Sequence, residues 1–184
     1  MKRIIMAGMV LLTASAIAGA GAISVSASGH EFVASTTGKT KSSGFTQTFT
    51  ANGNVIECLK ASGSGTITAT KSTTHKGTIT YGECSGIGKK LTVSAAHYEF
   101  NANGPAKLEK QVTITGVGLG CEILIEPQTI EGMSYLNSSG DLRSEAMVST
   151  IKELGTGGIC GGESTASYSG TITGELEGGT LEWK

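Results

Sequence analysis

Residues 77–84 of this 184-residue chain, Gly-Thr-Ile-Thr-Tyr-Gly-Glu-Cys, decide the fold class. Apolar and polar residues alternate along Thr78-Ile79-Thr80-Tyr81, which is the period of two of a half-buried strand. The tetrad Gly-Thr-Ile-Thr also begins at Gly65 and Gly170, and residues 112–115 are a near copy. The spacings between the copies are unequal, so they indicate a shared strand pattern and not a solenoid repeat.

The alternation continues along most of the chain from Phe45 onward. In Phe45-Thr46-Gln47-Thr48-Phe49, for example, it predicts that both aromatic rings lie on one face. The runs are short and are bounded by Gly or Asn, which supply turns. We therefore expect an all-β fold, an antiparallel β-sandwich or barrel of about ten short strands, in a single β-rich domain over residues 44–184.

Residues 142–154 allow two interpretations. Leu142, Ala146, Met147 and Ile151 would form the stripe of a helix, and the segment contains good helix formers. Ala146, Val148 and Thr150 alternate as in a strand. We favour the strand because the neighbouring segments are strands, and the helix stays open.

The first 27 residues have the pattern of a secretory signal peptide. Lys2 and Arg3 precede an uncharged apolar run, and Val25-Ser26-Ala27 places small residues at a cleavage site. We expect a protein that is secreted or at the cell surface, and an uncleaved anchor stays open. The mature chain has no second apolar stretch of about 20 residues, so no transmembrane segment is expected in it. Residues 28–43 are polar and predict a flexible lead-in, or a short first strand and a linker.

The four cysteines all follow the signal peptide. Four cysteines allow three pairings, and we expect Cys58–Cys84 and Cys121–Cys160, each closing a loop of a few tens of residues. No Cys-x-x-Cys occurs and no His lies within a few residues of a Cys, so a metal site is not expected. No other cofactor is indicated.

Charge and motifs exclude several classes of function. The chain has 14 basic and 15 acidic residues, and its lysines are scattered, so a nucleic-acid groove is not expected. Ser149-Thr150-Ile151-Lys152 lacks the partner motifs of a penicillin-recognising enzyme, and Gly38-Lys39-Thr40 lacks the upstream Gly of a phosphate loop. The alternating glutamates are typical of solvated strand faces. We therefore predict that the protein is not an enzyme.

The segments around the cysteines and at the C-terminus have a recognisable arrangement: Ile56-Glu57-Cys58, Tyr81-Gly82-Glu83-Cys84, His97-Tyr98-Glu99-Phe100, Gly120-Cys121-Glu122-Ile123, Ile159-Cys160 and Leu181-Glu182-Trp183. In these segments the chain resembles an uncharacterised family of small secreted, disulfide-containing, β-rich actinobacterial proteins. The resemblance implies a fold and an extracellular location and carries over no active residues.

The function expected from the sequence is a structural or binding role through the β faces, which are rich in Thr. A cell-wall polymer or another copy of the chain would be the partner. Two alternatives stay open: a carbohydrate-binding module or small secreted hydrolase, and a subunit of a self-assembling filament or surface layer. A sugar site would require a row of exposed aromatic rings, whereas aromatic residues make up 5% of the chain.

Overall fold

The computed structural model describes residues 29–51, 53–118, 120–157 and 161–184. The predicted signal peptide, residues 1–27, lies outside these ranges. All regular structure in the described residues is strand: β1 (Phe32–Ala34), β2 (Gly38–Ala51), β3 (Asn54–Ile67), β4 (Lys71–Ser72), β5 (Thr74–Gly86), β6 (Lys89–Val93), β7 (Ala96–Asn101), β8 (Ala106–Leu108), β9 (Val112–Thr115), β10 (Glu122–Ile125), β11 (Gln128–Ile130), β12 (Met133–Ser138), β13 (Asp141–Thr156), β14 (Gly162–Leu176) and β15 (Leu181–Trp183).

Eight of these strands close into an antiparallel barrel. Their order around the barrel is β2, β3, β5, β6, β9, β10, β13 and β14, and β14 pairs with β2 to complete the circle. The all-β prediction is confirmed, and of its two architectures the barrel is the one observed. The prediction of short strands is wrong for β2, β3, β5, β13 and β14, which are 13 to 16 residues long. An eight-stranded barrel has an interior that side chains can fill or that can hold one small ligand.

Two sets of short strands connect β5 to β13 on one side of the barrel. The lower wall, which we define as β6, β9 and β10, pairs with the C-terminal parts of β5 and β13. The upper wall, defined as β7, β8 and β11, pairs with the N-terminal part of β5. Among the described residues, its hydrogen bonds to β13 involve one side chain: Gln128 Nε2 donates to the Lys152 carbonyl at 2.8 Å, and the Lys152 amide donates to Gln128 Oε1 at 2.9 Å.

The inward face of β2 changes from even-numbered to odd-numbered residues near its middle. Thr40 is buried in the first half and Gln47 in the second, and between them Phe45 and Thr46 are both exposed. The register between β2 and β14 shifts by one residue at the same place, as in a β-bulge. The prediction that Phe45 and Phe49 share a face is therefore wrong, since Phe45 is 84% exposed and Phe49 is buried.

Strands also occupy two segments whose structure the sequence left open. Residues 142–154 belong to β13, as the favoured interpretation has it. Over residues 29–43 the structure has a short first strand, β1, as one of the two interpretations allowed, and the first residues of β2 where a flexible lead-in or a linker was expected. The Gly, Lys and Ser residues of this stretch obscure the alternation, but β2 is held by backbone pairing to β3 and β14 on both sides. β1 pairs with β4 and β15 in a separate three-stranded sheet.

The predicted disulfide between Cys58 and Cys84 is present and joins paired positions of β3 and β5. It is the one disulfide bond between described residues, and it indicates an oxidising setting outside the cytoplasm. Cys160, the expected partner of Cys121, lies outside the described residues, so the second pair stays a prediction. Within the described ranges no helix is long and apolar enough to span a membrane.

Candidate functional site

The barrel encloses an apolar cavity, here called the large cavity. It has a volume of about 100 Å³ and lies where the upper and lower walls meet. Apolar side chains from both walls line it, among them Val93, Leu108, Ile114 and Ile130. None of the described residues that line it is charged, and their polar side chains are Gln47, Ser144 and three tyrosines, Tyr81, Tyr98 and Tyr168.

The three tyrosines face the interior of the barrel. Each retains some accessible surface, yet burial is the main cause that raises the pKa of all three hydroxyls above the ordinary value of 10. The accessible surface and the effect of burial agree if the surface that each tyrosine retains borders the cavity and not bulk solvent. The hydroxyls therefore stay protonated at neutral pH, and the cavity presents uncharged polar groups.

Gln47 anchors one end of a row formed by these tyrosines. Its side chain is 2% exposed, and Nε2 donates to the carbonyls of Phe45 and Thr171, the latter at 3.0 Å. The Tyr168 hydroxyl donates to Gln47 Oε1. The change of side in β2 is what turns this residue inward, and the bulge brings the Thr171 carbonyl within its reach.

The row continues from Tyr168 to the two other tyrosines. The Tyr81 and Tyr168 rings meet edge to face with centroids 6.5 Å apart. The Tyr81 and Tyr98 hydroxyl oxygens are 3.2 Å apart. We call Tyr98, Tyr81 and Tyr168 the tyrosine chain. Four strands contribute to it and its anchor, namely β2, β5, β7 and β14.

A second, smaller cavity adjoins the first. It offers about 50 Å³ by the same measure, and Phe100, Ser144 and Ile172 border both cavities. His75 lines it and stacks on Phe100 with ring centroids 6.5 Å apart. Burial lowers the pKa of His75 below its ordinary value of 6.5, so this imidazole is neutral at pH 7.

The residues singled out in the sequence lie in different places. Cys58 lines the large cavity, so the confirmed disulfide forms part of its wall. His75 lies within β5 and lines the smaller cavity. His97 is an ordinary strand residue of β7, and its Nδ1 is 3.1 Å from Thr78 Oγ1. Among the described residues no three His, Cys, Asp or Glu side chains are grouped so that they could hold a metal ion.

Sequence reasoning missed the tyrosine chain and its anchor. Tyr81 was placed correctly in a strand, but its meeting with Tyr98 depends on the pairing of β5 with β7. One signal was available: Gln47 interrupts the apolar face expected between Phe45 and Phe49. A lone amide on an apolar strand face indicates a buried hydrogen-bonding role.

Comparisons with family models, with curated proteins and with solved structures find no match for this chain. The class that fold and site define is a closed up-and-down β-barrel with an apolar interior cavity.

Proposed function

We propose that this protein is a non-enzymatic extracellular binding protein that holds a small, uncharged, mainly apolar molecule inside its barrel. The observation that carries the proposal is the large cavity, which is lined by apolar side chains and by hydroxyls that are not ionised. A charged ligand would lose its hydration without gaining a counter-charge, which costs several kcal/mol or more. Binding in the interior replaces the outer β faces, which the sequence favoured, as the leading site.

The size of the cavity limits the ligand to a few heavy atoms. An engineered apolar cavity of about 150 Å³ in another protein binds benzene. The large cavity has about 100 Å³, and about 50 Å³ more lies beyond the shared border at Phe100. We therefore expect ligands of about five to seven heavy atoms, a range set by comparison with benzene.

Titration calorimetry with benzene and with cyclopentanol tests this proposal on the mature, oxidised protein. Val93→Phe would place a ring in the large cavity and should abolish binding. Val55→Phe makes the same change on β3, where Val55 is 55% exposed, and should leave binding unchanged. Thermal melts of both variants check that they fold. If neither compound binds the unmodified protein, or if Val93→Phe binds as well as Val55→Phe, interior binding is wrong.

A second candidate function is contact with a partner or another copy through the outer surface. Phe45 and Met147 are 84% and 82% exposed and line the same external groove of β2, β13 and β14, of about 640 Å³. Among the described residues, Phe45 is the one strongly exposed apolar residue that is aromatic. The row of exposed aromatic rings that a sugar site requires therefore has little support. Light scattering behind size exclusion at several concentrations tests self-association. A mass that grows with concentration, and that Phe45→Ser with Met147→Ser abolishes, would favour this role.

A further inference from the structure

The smaller cavity lies at the end of the barrel that the three-stranded sheet covers. Phe32 of β1 and Leu181 of β15 line it, and both side chains are buried. Phe100, Ser144 and Ile172 border the large cavity as well. A molecule that extends past these three residues would therefore occupy both cavities, of about 100 and 50 Å³.

Tyr135 of β12 brings a buried hydroxyl to this cavity. The residue lines the cavity and is 3% exposed, and its hydroxyl forms no hydrogen bond with any described residue. Its ring is positioned by an edge-to-face contact with Phe32, with centroids 5.2 Å apart. Burial raises the pKa of the hydroxyl above its ordinary value of 10, so it stays protonated and can donate and accept. Because a buried polar group without a partner costs free energy, this hydroxyl indicates a partner that binding supplies.

Further uncharged polar groups line the same cavity. They include the hydroxyl of the buried Thr40 and the neutral imidazole of His75, which donates at one nitrogen and accepts at the other. Lys41 is the one charged residue among the described residues of the lining, but its side chain is 74% exposed and its Nζ lies 2.6 Å from Glu177 Oε1. Its charge is therefore balanced outside the cavity. The cavity suits an uncharged group that can both donate and accept a hydrogen bond.

The polar groups of the large cavity are already paired within the protein. The Tyr168 hydroxyl donates to Gln47, and the Tyr81 and Tyr98 hydroxyl oxygens are 3.2 Å apart. A polar group of a ligand would find no unpaired hydroxyl there, whereas beside Tyr135 it would supply a missing hydrogen bond. The free energy gained by a polar group is therefore larger in the smaller cavity.

We propose that the two cavities form one binding site, in which the large cavity holds a short hydrocarbon chain and the smaller cavity holds the hydroxyl group at the end of that chain, hydrogen-bonded to Tyr135. This inference rests on the proposed function and specifies its ligand class as primary alcohols of about five to seven heavy atoms, by the same comparison with benzene. A carboxylate in place of the hydroxyl would lose its hydration without gaining a counter-charge, since the ammonium group of Lys41 is paired outside.

Titration calorimetry on the mature, oxidised protein tests this site with 1-pentanol and n-hexane. Hexane has the same number of heavy atoms and carries a methyl group where 1-pentanol has its hydroxyl. Tyr135→Phe removes one hydroxyl and keeps the ring, so the dissociation constant of hexane divided by that of 1-pentanol should fall about fivefold, the factor for one hydrogen bond of ordinary net strength. Because the hydroxyl that is removed has no partner among the described residues, the variant without ligand should melt no lower than the unmodified protein.

A second pair of variants tests whether the chain reaches the smaller cavity. Gly174 lines this cavity, and a Cβ there would come no closer than 3.6 Å to the Leu142 carbonyl oxygen, so Gly174→Ala adds a methyl group without a clash. The variant should weaken 1-pentanol and hexane about fivefold or more relative to benzene, which the large cavity holds alone. Gly82→Ala is the matched control, because Gly82 lines neither cavity and its added Cβ would lie 3.7 Å from Lys60 Cβ. It should leave the binding of all three compounds unchanged.

Several results would overturn the inference. One is an unchanged ratio in Tyr135→Phe, which would mean that the Tyr135 hydroxyl binds water or the protein and not the ligand. A second is a larger fall of the ratio in Tyr98→Phe than in Tyr135→Phe, which would place the polar group in the large cavity. Tighter binding of pentanoate than of 1-pentanol at pH 7, or binding of benzene without the two chain compounds, would also overturn it. Failure of benzene, hexane and 1-pentanol alike to bind would instead refute the proposed function.

Discussion

Replacement of Gln47 by Leu should destabilise the barrel strongly. The Gln47 side chain is 2% exposed and serves three groups, the carbonyls of Phe45 and Thr171 and the Tyr168 hydroxyl. Leucine has a similar size but can replace none of these hydrogen bonds. A buried polar group left unpaired costs about 1–3 kcal/mol. Three such groups at the low end, less about 1 kcal/mol for the more apolar side chain, give a net loss of about 2 kcal/mol or more in the free energy of unfolding.

Urea denaturation of the oxidised protein, followed by far-UV circular dichroism, measures this loss. Gln111→Leu is the matched control, because Gln111 is exposed, and its change should stay within about 0.5 kcal/mol. The pair Gln47→Leu and Tyr168→Phe should be non-additive by about 1 kcal/mol, since each change removes the same hydrogen bond. If Gln47→Leu is no more harmful than Gln111→Leu, Gln47 does not anchor the tyrosine chain.

Three further changes test other parts of the structure. Cys58→Ala with Cys84→Ala should lower the free energy of unfolding by about 3–4 kcal/mol, as expected for a loop closed over 26 residues. Urea titration measures this loss, and a loss below about 1 kcal/mol would contradict the prediction. Gly170→Ala should lower the melting temperature, because its Cβ would lie 2.7 Å from Gln47 Cδ, and an unchanged melting temperature would contradict this contact. Burial lowers the pKa of His75, so the unfolded chain binds a proton at a higher pH than the folded chain does, and the free energy of unfolding should fall as the pH drops through 6.5. His75→Gln should flatten that part of the stability profile, and an identical profile would exclude His75 as its source.

The period of two was sufficient to predict the strands but not their length. Residues 62–65, Ser-Gly-Ser-Gly, have the composition of a loop, yet they lie inside β3. The reason is close approach between strands: a Cβ at Gly63 would lie 2.6 Å from Ile79 Cδ1, and one at Gly65 would lie 2.6 Å from the Lys76 carbonyl oxygen. Such glycines are required by neighbours that are distant in sequence, so local composition cannot distinguish them from loop glycines.

The candidate site depends on closure of the barrel, which no local pattern in the sequence predicts. The disulfide between Cys58 and Cys84 was predictable because a short loop and an adjacent strand pair place the two sulfurs together. Gln47 and Tyr168 are 121 residues apart and meet only because β14 returns to pair with β2. The bulge in β2 then decides which side chains face inward. Alternation continued without the bulge would turn Gln47 to the same side as the exposed Phe45.

The link between Gln128 and Lys152 joins the upper wall to β13 with fewer hydrogen bonds than join β13 to β14. β13 and β14 are paired along almost their whole lengths, whereas β11 is hydrogen-bonded to β13, among the described residues, through one amide side chain. Two hydrogen bonds of ordinary net strength contribute about 1–3 kcal/mol. Ile130 of β11 is buried in the core and lines the large cavity, so separating β11 from β13 would also expose apolar surface. The attachment of the upper wall to β13 therefore depends on side-chain packing, whereas the attachment of β14 to β13 depends on backbone pairing.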